Sequence, residues 1–308
     1  MHDLKKILQN QGYAMVGRHS AVKLCHWLRK SLLEGKQCYK NTFYGIKSHR
    51  CLQMSPTAFH CTQKCLYCWR FQGFTLTSLE IENADEPKYI LEKSIEEQYR
   101  LLTGYKGDER VNIKKWEESI KPEHVACSLT GEPTLYPFLS DFFEECHKKK
   151  MTTFLVTNGT NPSALEKMDT LPKQLYVTIS APNEKIYKKL CCPLIPKAWE
   201  KLNKTLEILP SLNTRTVIRH TLVKNWNLGY EKEYAKLDEK AEAWFIEPKG
   251  YMFLGYSRER MNIENMPSHE EIRKFGEKLA EFTGYKIEDE RKDSRVVLLG
   301  TGKERRIK

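Results

Sequence analysis

No apolar run in this 308-residue chain approaches the roughly 20 residues needed to span a bilayer. The first residues, MHDLKKILQNQGY, place acidic and polar side chains where a secretion signal needs an apolar stretch, so neither export nor membrane insertion is expected. There is no low-complexity tract, no internal repeat beyond an alternation of short segments, and no flexible linker marking a second independent domain. With 40% hydrophobic and 30% charged residues, the chain is neither disordered nor fibrous. What it does carry is basic charge, +11 in all, and ten cysteines. In a cytoplasmic protein these should be reduced, and so serve as core residues, catalytic thiols or metal ligands rather than disulfides.

Six of the ten fall between Cys25 and Cys68, and the last three form Cys61-x-x-x-Cys65-x-x-Cys68. Three thiolates this close converge only if the backbone loops around one point. Thiolates are what iron–sulfur clusters require, and three of them around a four-iron cubane leave one iron open. Structural zinc would want a fourth ligand. His60 is adjacent to Cys61, but neighbours on an extended strand point apart. The upstream triad, Cys25-x12-Cys38-x12-Cys51, is evenly spaced, and spacing alone leaves it open between a second metal centre and buried small hydrophobes. Cys127 and Cys146 read as core, and Cys191-Cys192 has no partner spacing.

Downstream, strand-like and helix-like segments alternate. Candidate strands are Leu52–Phe59, His124–Leu129, Thr152–Thr157, Gln174–Ser180, Thr214–Val223 and Trp244–Glu247, each short and bounded by Gly, Pro or Asn. Apolar stripes at helical spacing follow Pro87 and Pro137, and a third ends at Pro210. Six βα units imply a parallel sheet with right-handed crossovers, too few strands for a closed eight-stranded barrel but suited to a curved, partly open one. Chemistry then belongs at the C-terminal strand edges, which read His60-Cys61, Thr130-Gly131-Glu132, Asn158-Gly159 and Ser180-Ala181. Residues 1–50 read as an N-terminal helical cap, 51–267 as the α/β core, and 268–308 as an extension with a helix capped by Ser268 and a strand over Arg295–Leu299. All three are expected to form one integrated domain.

The triad at the end of a first strand, with Tyr67 immediately before its last cysteine, resembles the radical S-adenosylmethionine superfamily, whose fold is a partial (β/α)6 TIM-like barrel. Within it, segments along nearly the whole chain resemble the 4-demethylwyosine synthase family of tRNA-modifying enzymes, in its shorter archaeal form. They include Ala21–Cys25, Cys38-Tyr39-Lys40, Phe43–Ile46, His49-Arg50-Cys51, Cys68-Trp69-Arg70, Ser128–Pro137, Thr157-Asn158-Gly159 and Phe245-Ile246-Glu247. The resemblance implies two 4Fe-4S clusters, one held by Cys61, Cys65 and Cys68 and binding S-adenosylmethionine, the other held by Cys25, Cys38 and Cys51. The implied reaction is that of a carbon–carbon lyase. A 5′-deoxyadenosyl radical takes hydrogen from the N1-methyl group of N1-methylguanosine, just 3′ of the anticodon in tRNA(Phe). The carbon radical adds to pyruvate, carboxylate is lost, and ring closure gives the tricyclic base.

By position, Thr130, Gly131 and Glu132 resemble the superfamily's Gly-Gly-Glu segment, with Thr in place of the first Gly, so backbone contacts must serve the cofactor there. Asn158 and Gly159 fall where its ribose would sit, and Ser180 stands where many relatives carry Asp. Pyruvate would bind to the open iron of the second cluster or as a Schiff base on a lysine, for which Lys114, Lys115 and Lys121 are the candidates; each also reads as a solvated helix face. Glu247 reads either as a core carboxylate paired with a lysine or as a group facing the substrate.

Basic residues of the N-terminal region, among them Arg18, Lys23, Arg29, Lys40 and Arg50, and of the C-terminus, among them Arg291, Arg295, Lys303, Arg305, Arg306 and Lys308, suit phosphate contacts around the anticodon loop. Trp69, Tyr44 and Trp226 read either as core or as stacking partners for an extruded base. Eukaryotic relatives carry an added flavodoxin-like domain, with no counterpart segment here, so an external electron donor is expected, acting on a monomer. The rival readings are another radical enzyme of the same fold and a non-catalytic zinc RNA-binding protein.

Overall fold

In the computed structural model, which describes residues 2–307, the strands lie in one ten-stranded sheet. In chain order they are β1 (Ala14–Val16), β2 (Ser20–Val22), β3 (Cys51–Ser55), β4 (His124–Cys127), β5 (Thr152–Thr157), β6 (Gln174–Thr178), β7 (Arg215–Leu222), β8 (Phe245–Gly250), β9 (Lys286–Arg291) and β10 (Val296–Gly300). From β3 to β8 neighbours are sequential and parallel, the six βα units expected. The sheet does not close. An antiparallel hairpin, β1–β2, continues it beyond β3, and β10 followed by β9 continues it antiparallel beyond β8.

The parallel strands present two faces. Outward residues such as Leu155, Val177, Ile218 and Ile246 pack with the helices, through Phe142, Leu202 and Leu206 among others. Inward residues Phe154, Tyr176, Val217 and Phe245 enclose Tyr39, Phe43 and Tyr44 of the short helix Tyr39–Tyr44, which plugs the barrel. Phe43 and Tyr44 are fully buried there, each contributing about 1.5–3 kcal/mol of apolar burial. Gly45, at φ 82°, ends that helix in the left-handed turn that glycine adopts without penalty.

Several boundaries differ from the sequence expectation. The first core strand stops at Ser55, because Pro56 has no N–H to offer a ladder, and the segment to Phe59 becomes a loop. To the helices expected in residues 1–50 the structure adds the β1–β2 hairpin, whose strands are too short to show an alternation. The C-terminal helix, His269–Thr283, begins at Ser268 with a reciprocal cap: Ser268 Oγ accepts from Glu271 N at 3.1 Å and Glu271 Oε2 from Ser268 N at 2.7 Å. Strand β9, KIEDER, escapes a hydrophobic pattern because it is a charged, partly exposed edge.

Candidate active site

Beyond β3 the chain carries Cys61, Cys65 and Cys68 in a loop stitched on both sides. Cys61 N donates to Leu76 O at 2.8 Å, Leu194 N to Thr62 O at 2.8 Å, and Lys64 N to Cys192 O at 3.0 Å. Arg260 reaches in from a distant segment, its Nε donating to Leu66 O at 3.3 Å and its Nη2 to the carbonyl of Cys68. Burial pushes the Cys61 thiol up to about 12, against the opposing charge of the buried Arg70. The Cys65 thiol is raised by its interaction with the Cys191 thiol and by burial. Cys191, silent in the sequence, therefore lies against this loop. Such thiols stay protonated at neutral pH until an electrophilic metal takes the proton's place.

The next strand edges close over that loop. Gly131, at φ 72°, brings Thr130-Gly131-Glu132 so near the carbonyls of Thr57 and His60 that a Cβ would overlap both oxygens. Glu132 is buried and accepts four bonds: from Thr134 N at 3.2 Å, Thr134 Oγ1 at 2.7 Å, Thr157 Oγ1 at 2.6 Å and Asn158 N at 2.8 Å. Its side chain thus binds β4 to β5, and burial raises its pKa. Asn158 Nδ2 lies 2.9 Å from Thr62 Oγ1 and 3.9 Å from Cys61 Sγ. Gly159 turns toward the helix Ala198–Ile208, where a Cβ would meet Leu202 Cδ1 at 2.6 Å; its N–H donates to Thr157 Oγ1 at 3.1 Å and its carbonyl accepts from Thr205 Oγ1 at 2.7 Å. Ser180 Oγ accepts the Tyr67 hydroxyl at 2.7 Å, linking this edge to the residue before Cys68. Thr57 Oγ1, His60 Nδ1 and Thr130 Oγ1 are buried without partners among the described residues.

The upstream cysteines occupy three different elements. Cys25 precedes the helix His26–Leu33, Cys38 precedes Tyr39–Tyr44, and Cys51 opens β3. They are near enough for charge on one to bear on another: burial first and Cys25 second push Cys38 up to about 11 and Cys51 up to about 12. Immediately after Cys38, Tyr39 and Lys40 turn into the barrel. Lys40 Nζ stands 4.7 Å from the centroid of Phe154 and 4.5 Å from that of Tyr176, with no hydrogen bond among the described residues. Burial holds its pKa below the usual lysine value. Opposite lies a polar layer. Arg219 on β7 donates to Glu247 on β8, which also accepts the hydroxyls of Tyr39 at 3.2 Å and Tyr44 at 2.7 Å. Glu247 therefore faces the interior paired with an arginine, not with a lysine.

A family model of the radical SAM superfamily matches residues 55–237, and one for wyosine base formation matches residues 240–301. The S-adenosyl-L-methionine-dependent tRNA 4-demethylwyosine synthase of Pyrococcus abyssi is 52% identical over 302 residues, covering 96% of this chain and 88% of that protein. The chain belongs to the tRNA 4-demethylwyosine synthase family. Among solved structures, TYW1 with a lysine–pyruvate adduct bound superposes with a TM-score of 0.90 at 40% identity, covering 100% of this chain and 98% of that one. An archaeal TYW1 crystal structure gives 0.81 at 37% identity, with 100% and 99% covered.

As a radical SAM family member, this 4-demethylwyosine synthase relative implies a 4Fe-4S cluster and S-adenosylmethionine, and the residues at the strand edges fit both. Three thiols share one loop, and the three orphaned polar atoms beside them lack the partners that buried groups normally have. Among the described residues no three His, Cys, Asp or Glu side chains close around a single ion, so each triad would need a larger group, or a local closure, to be ligated at once.

The lysines singled out from the sequence lie elsewhere. Lys114 and Lys121 are exposed, and Lys115 donates to Ser31 O at 3.4 Å; all three sit outside the barrel, on or beside the helix Ile113–Ser119. Lys40, inside it, closes the Cys38-Tyr39-Lys40 segment and reads from the sequence only as one of the basic residues suited to phosphate; a lysine so near a cysteine triad is the signal that finds it. Of the aromatic candidates, Tyr44 is core and Trp69 stacks on Tyr13 at 6.3 Å. Of the basic ones, Arg18, Arg50, Arg291 and Arg305 are engaged by carboxylates, Arg306 donates to Asn41 O, and Lys308 lies outside the described residues. No helix among the described residues is long and apolar enough to cross a membrane.

Proposed function

We propose that the chain builds 4-demethylwyosine on tRNA(Phe) from N1-methylguanosine and pyruvate, as a carbon–carbon lyase. The observation that carries the reading is Lys40: a lysine inside the barrel, over Phe154 and Tyr176, two residues past Cys38 and with no hydrogen bond among the described residues. A family relative holds a lysine–pyruvate adduct, and we assign the same role to Lys40, since Lys249, the other lysine of this interior, already donates to Ser294 O. Its amine adds to the keto carbon of pyruvate and releases water, giving an imine held over Tyr176 and Phe154.

Cys61, Cys65 and Cys68 would hold the cluster that binds S-adenosylmethionine, and Cys25, Cys38 and Cys51 a second 4Fe-4S cluster. When bound and reduced, the first cluster and its cofactor supply the radical that starts the reaction. Thr130, Gly131 and Glu132 offer backbone groups to the cofactor, with the Glu132 carboxylate fixing their position, while Asn158, Gly159 and Ser180 line the next edges. Charge on Cys38 and Cys51 bears on Lys40, which supports a second cluster close enough to meet the same pyruvate. Ten unpaired cysteines suit a reducing cytoplasm, where an external donor supplies the electron.

The test combines the anaerobically reconstituted protein with N1-methylguanosine-containing tRNA, pyruvate, S-adenosylmethionine and dithionite, followed by nucleoside mass analysis. The tricyclic product is expected from the natural chain. Lys40→Ala should lose it while cleaving S-adenosylmethionine as before. A preparation that cleaves the cofactor yet makes no tricyclic base would overturn the assignment.

A further inference from the structure

Arg219 is held in the barrel interior with part of its guanidinium unused. Arginine carries five N–H donors in a fixed plane. Here Nε bonds Glu247 Oε2 at 3.2 Å, while Nη2 bonds Glu247 Oε2 at 2.9 Å and Tyr39 Oη at 2.7 Å. Those three contacts use Nε and Nη2. Both N–H groups of Nη1 have no partner among the described residues, and the side chain, 14% exposed, is not sealed off. Glu247 and Tyr39 thus fix the plane and leave one edge presented.

The guanidinium shares the Tyr176 ring with Lys40. The Arg219 Cζ and the Lys40 Nζ each stand 4.5 Å from the centroid of Tyr176, so they are separated by no more than twice that distance. Lys249 adds a third cation, 5.3 Å from the Tyr39 ring, with its Nζ donating to Ser294 O at 2.5 Å. Against three cations the described side chains set the buried carboxylate of Glu247, the exposed Asp293 beside Lys249, and the thiols of the upstream triad. A free guanidinium N–H offers a carboxylate a charge-assisted hydrogen bond.

We propose that the Nη1 edge of Arg219 binds the carboxylate of a small 2-oxo acid and sets its keto carbon at Lys40. The inference rests on the reading in which Lys40 takes pyruvate, and it adds the group that selects an oxo acid over a neutral ketone. Glu247 and Tyr39 act only through Arg219, by holding its plane.

Two measurements on the reconstituted protein separate this inference from the reading beneath it. Equilibrium dialysis with radiolabelled pyruvate reports binding, and borohydride trapping followed by peptide mass analysis reports imine at Lys40. Pyruvamide, which has the ketone and no carboxylate, is the neutral probe. A charge-assisted bond is worth roughly 1.5–3 kcal/mol, so Arg219→Lys should raise the half-saturating pyruvate concentration at least tenfold. That variant keeps a cation for Glu247 and loses the Nη1 edge. Pyruvamide trapping at Lys40 should be unchanged in it, which also shows that the barrel remains folded. A second variant, Arg219→Gln with Glu247→Gln, strands neither member of that pair and should lose the same preference. Equal pyruvate binding in variants that trap pyruvamide normally would overturn the role of Arg219. So would pyruvate binding lost on Cys25→Ala and untouched by Arg219→Lys. Arginine-dependent binding without any adduct at Lys40 would instead sink the imine reading and leave the carboxylate site standing.

Discussion

Arg219 and Glu247 are direct register partners on β7 and β8, with Nη2 and Oε2 2.9 Å apart inside the barrel. Glu247 is fully buried, and its two oxygens serve Arg219, Tyr39 and Tyr44 together. Removing one partner of such a pair strands the other charge, at a cost of about 3–5 kcal/mol. Glu247→Ala is therefore expected to lower the unfolding free energy from urea titration by that order, and Glu247→Gln by less, since its amide oxygen still accepts. An alanine variant as stable as the natural chain would mean that the interior is wet enough to solvate Arg219.

How much of this was legible beforehand follows from what each feature depends on. The βα alternation and the Cys61 loop were readable because both are local: short apolar strands between breakers, and ligands a few residues apart. The Ser268 cap was readable for the same reason. Glu247 and Arg219 were not, because their partnership joins residues 28 apart on neighbouring strands, and only the register says which faces inward. Lys40 was hidden for a related reason. In sequence it is one basic residue among many; its meaning comes from a short helix folding back into the barrel mouth. Cys191 likewise gains a neighbour, Cys65, only through the fold.

Gly131 offers a sharper test of how the cysteine loop is positioned. Its φ of 72° is costly for any L-residue, and its missing Cβ leaves room for the carbonyls of Thr57 and His60. Gly12, at φ 80° with nothing near its Cβ position, bears the backbone cost alone. Both alanine variants should lose about 1 kcal/mol or more from backbone strain. Only Gly131→Ala should also displace the loop, and with it the iron we assign to Cys61, Cys65 and Cys68. With the two clusters proposed above, iron content after reconstitution should fall by about half in that variant and stay whole in Gly12→Ala. Equal iron in the two would show that the close approach has no bearing on the cluster site.

The outer lysines supply the complementary expectation. Lys114 and Lys121 are exposed, and Lys115 makes one long bond to a carbonyl, so alanine at any of them should change stability by no more than about 0.5 kcal/mol. Product formation from pyruvate and N1-methylguanosine-containing tRNA should be kept in each. A single-turnover assay showing loss in one of them, with S-adenosylmethionine cleavage intact, would move the imine away from Lys40.

His19 gives the fold an acid-sensitive joint between the β1–β2 hairpin and the start of the helix Pro87–Thr103. The ring is almost wholly buried, its Nδ1 lies 2.5 Å from Pro56 O, and its Nε2 accepts the amide of Asp85 at 2.8 Å. One nitrogen donates and the other accepts, which only the neutral ring can do. Burial is the main cause that lowers its pKa; Arg18 pushes the same way, and the Pro56 bond and Asp85 oppose. The unfolded chain, with an ordinary imidazole near about 6.5, therefore takes up a proton before the folded one does. Stability is full above that pH and is lost as the pH falls below it, down to the folded value. Thermal midpoints measured from pH 8 to pH 5 should drop more steeply for the natural chain than for His19→Asn, which is less stable at neutral pH but has no proton to gain. Because His49, His60 and His124 have lowered values too, the difference between the two slopes is the quantity that reports on His19. Parallel slopes would mean that folding leaves the ring's proton affinity unchanged, and a shallower slope for the natural chain that the folded ring takes up the proton, with the Asp85 carboxylate, 3.5 Å from Nε2, as its partner in place of the amide.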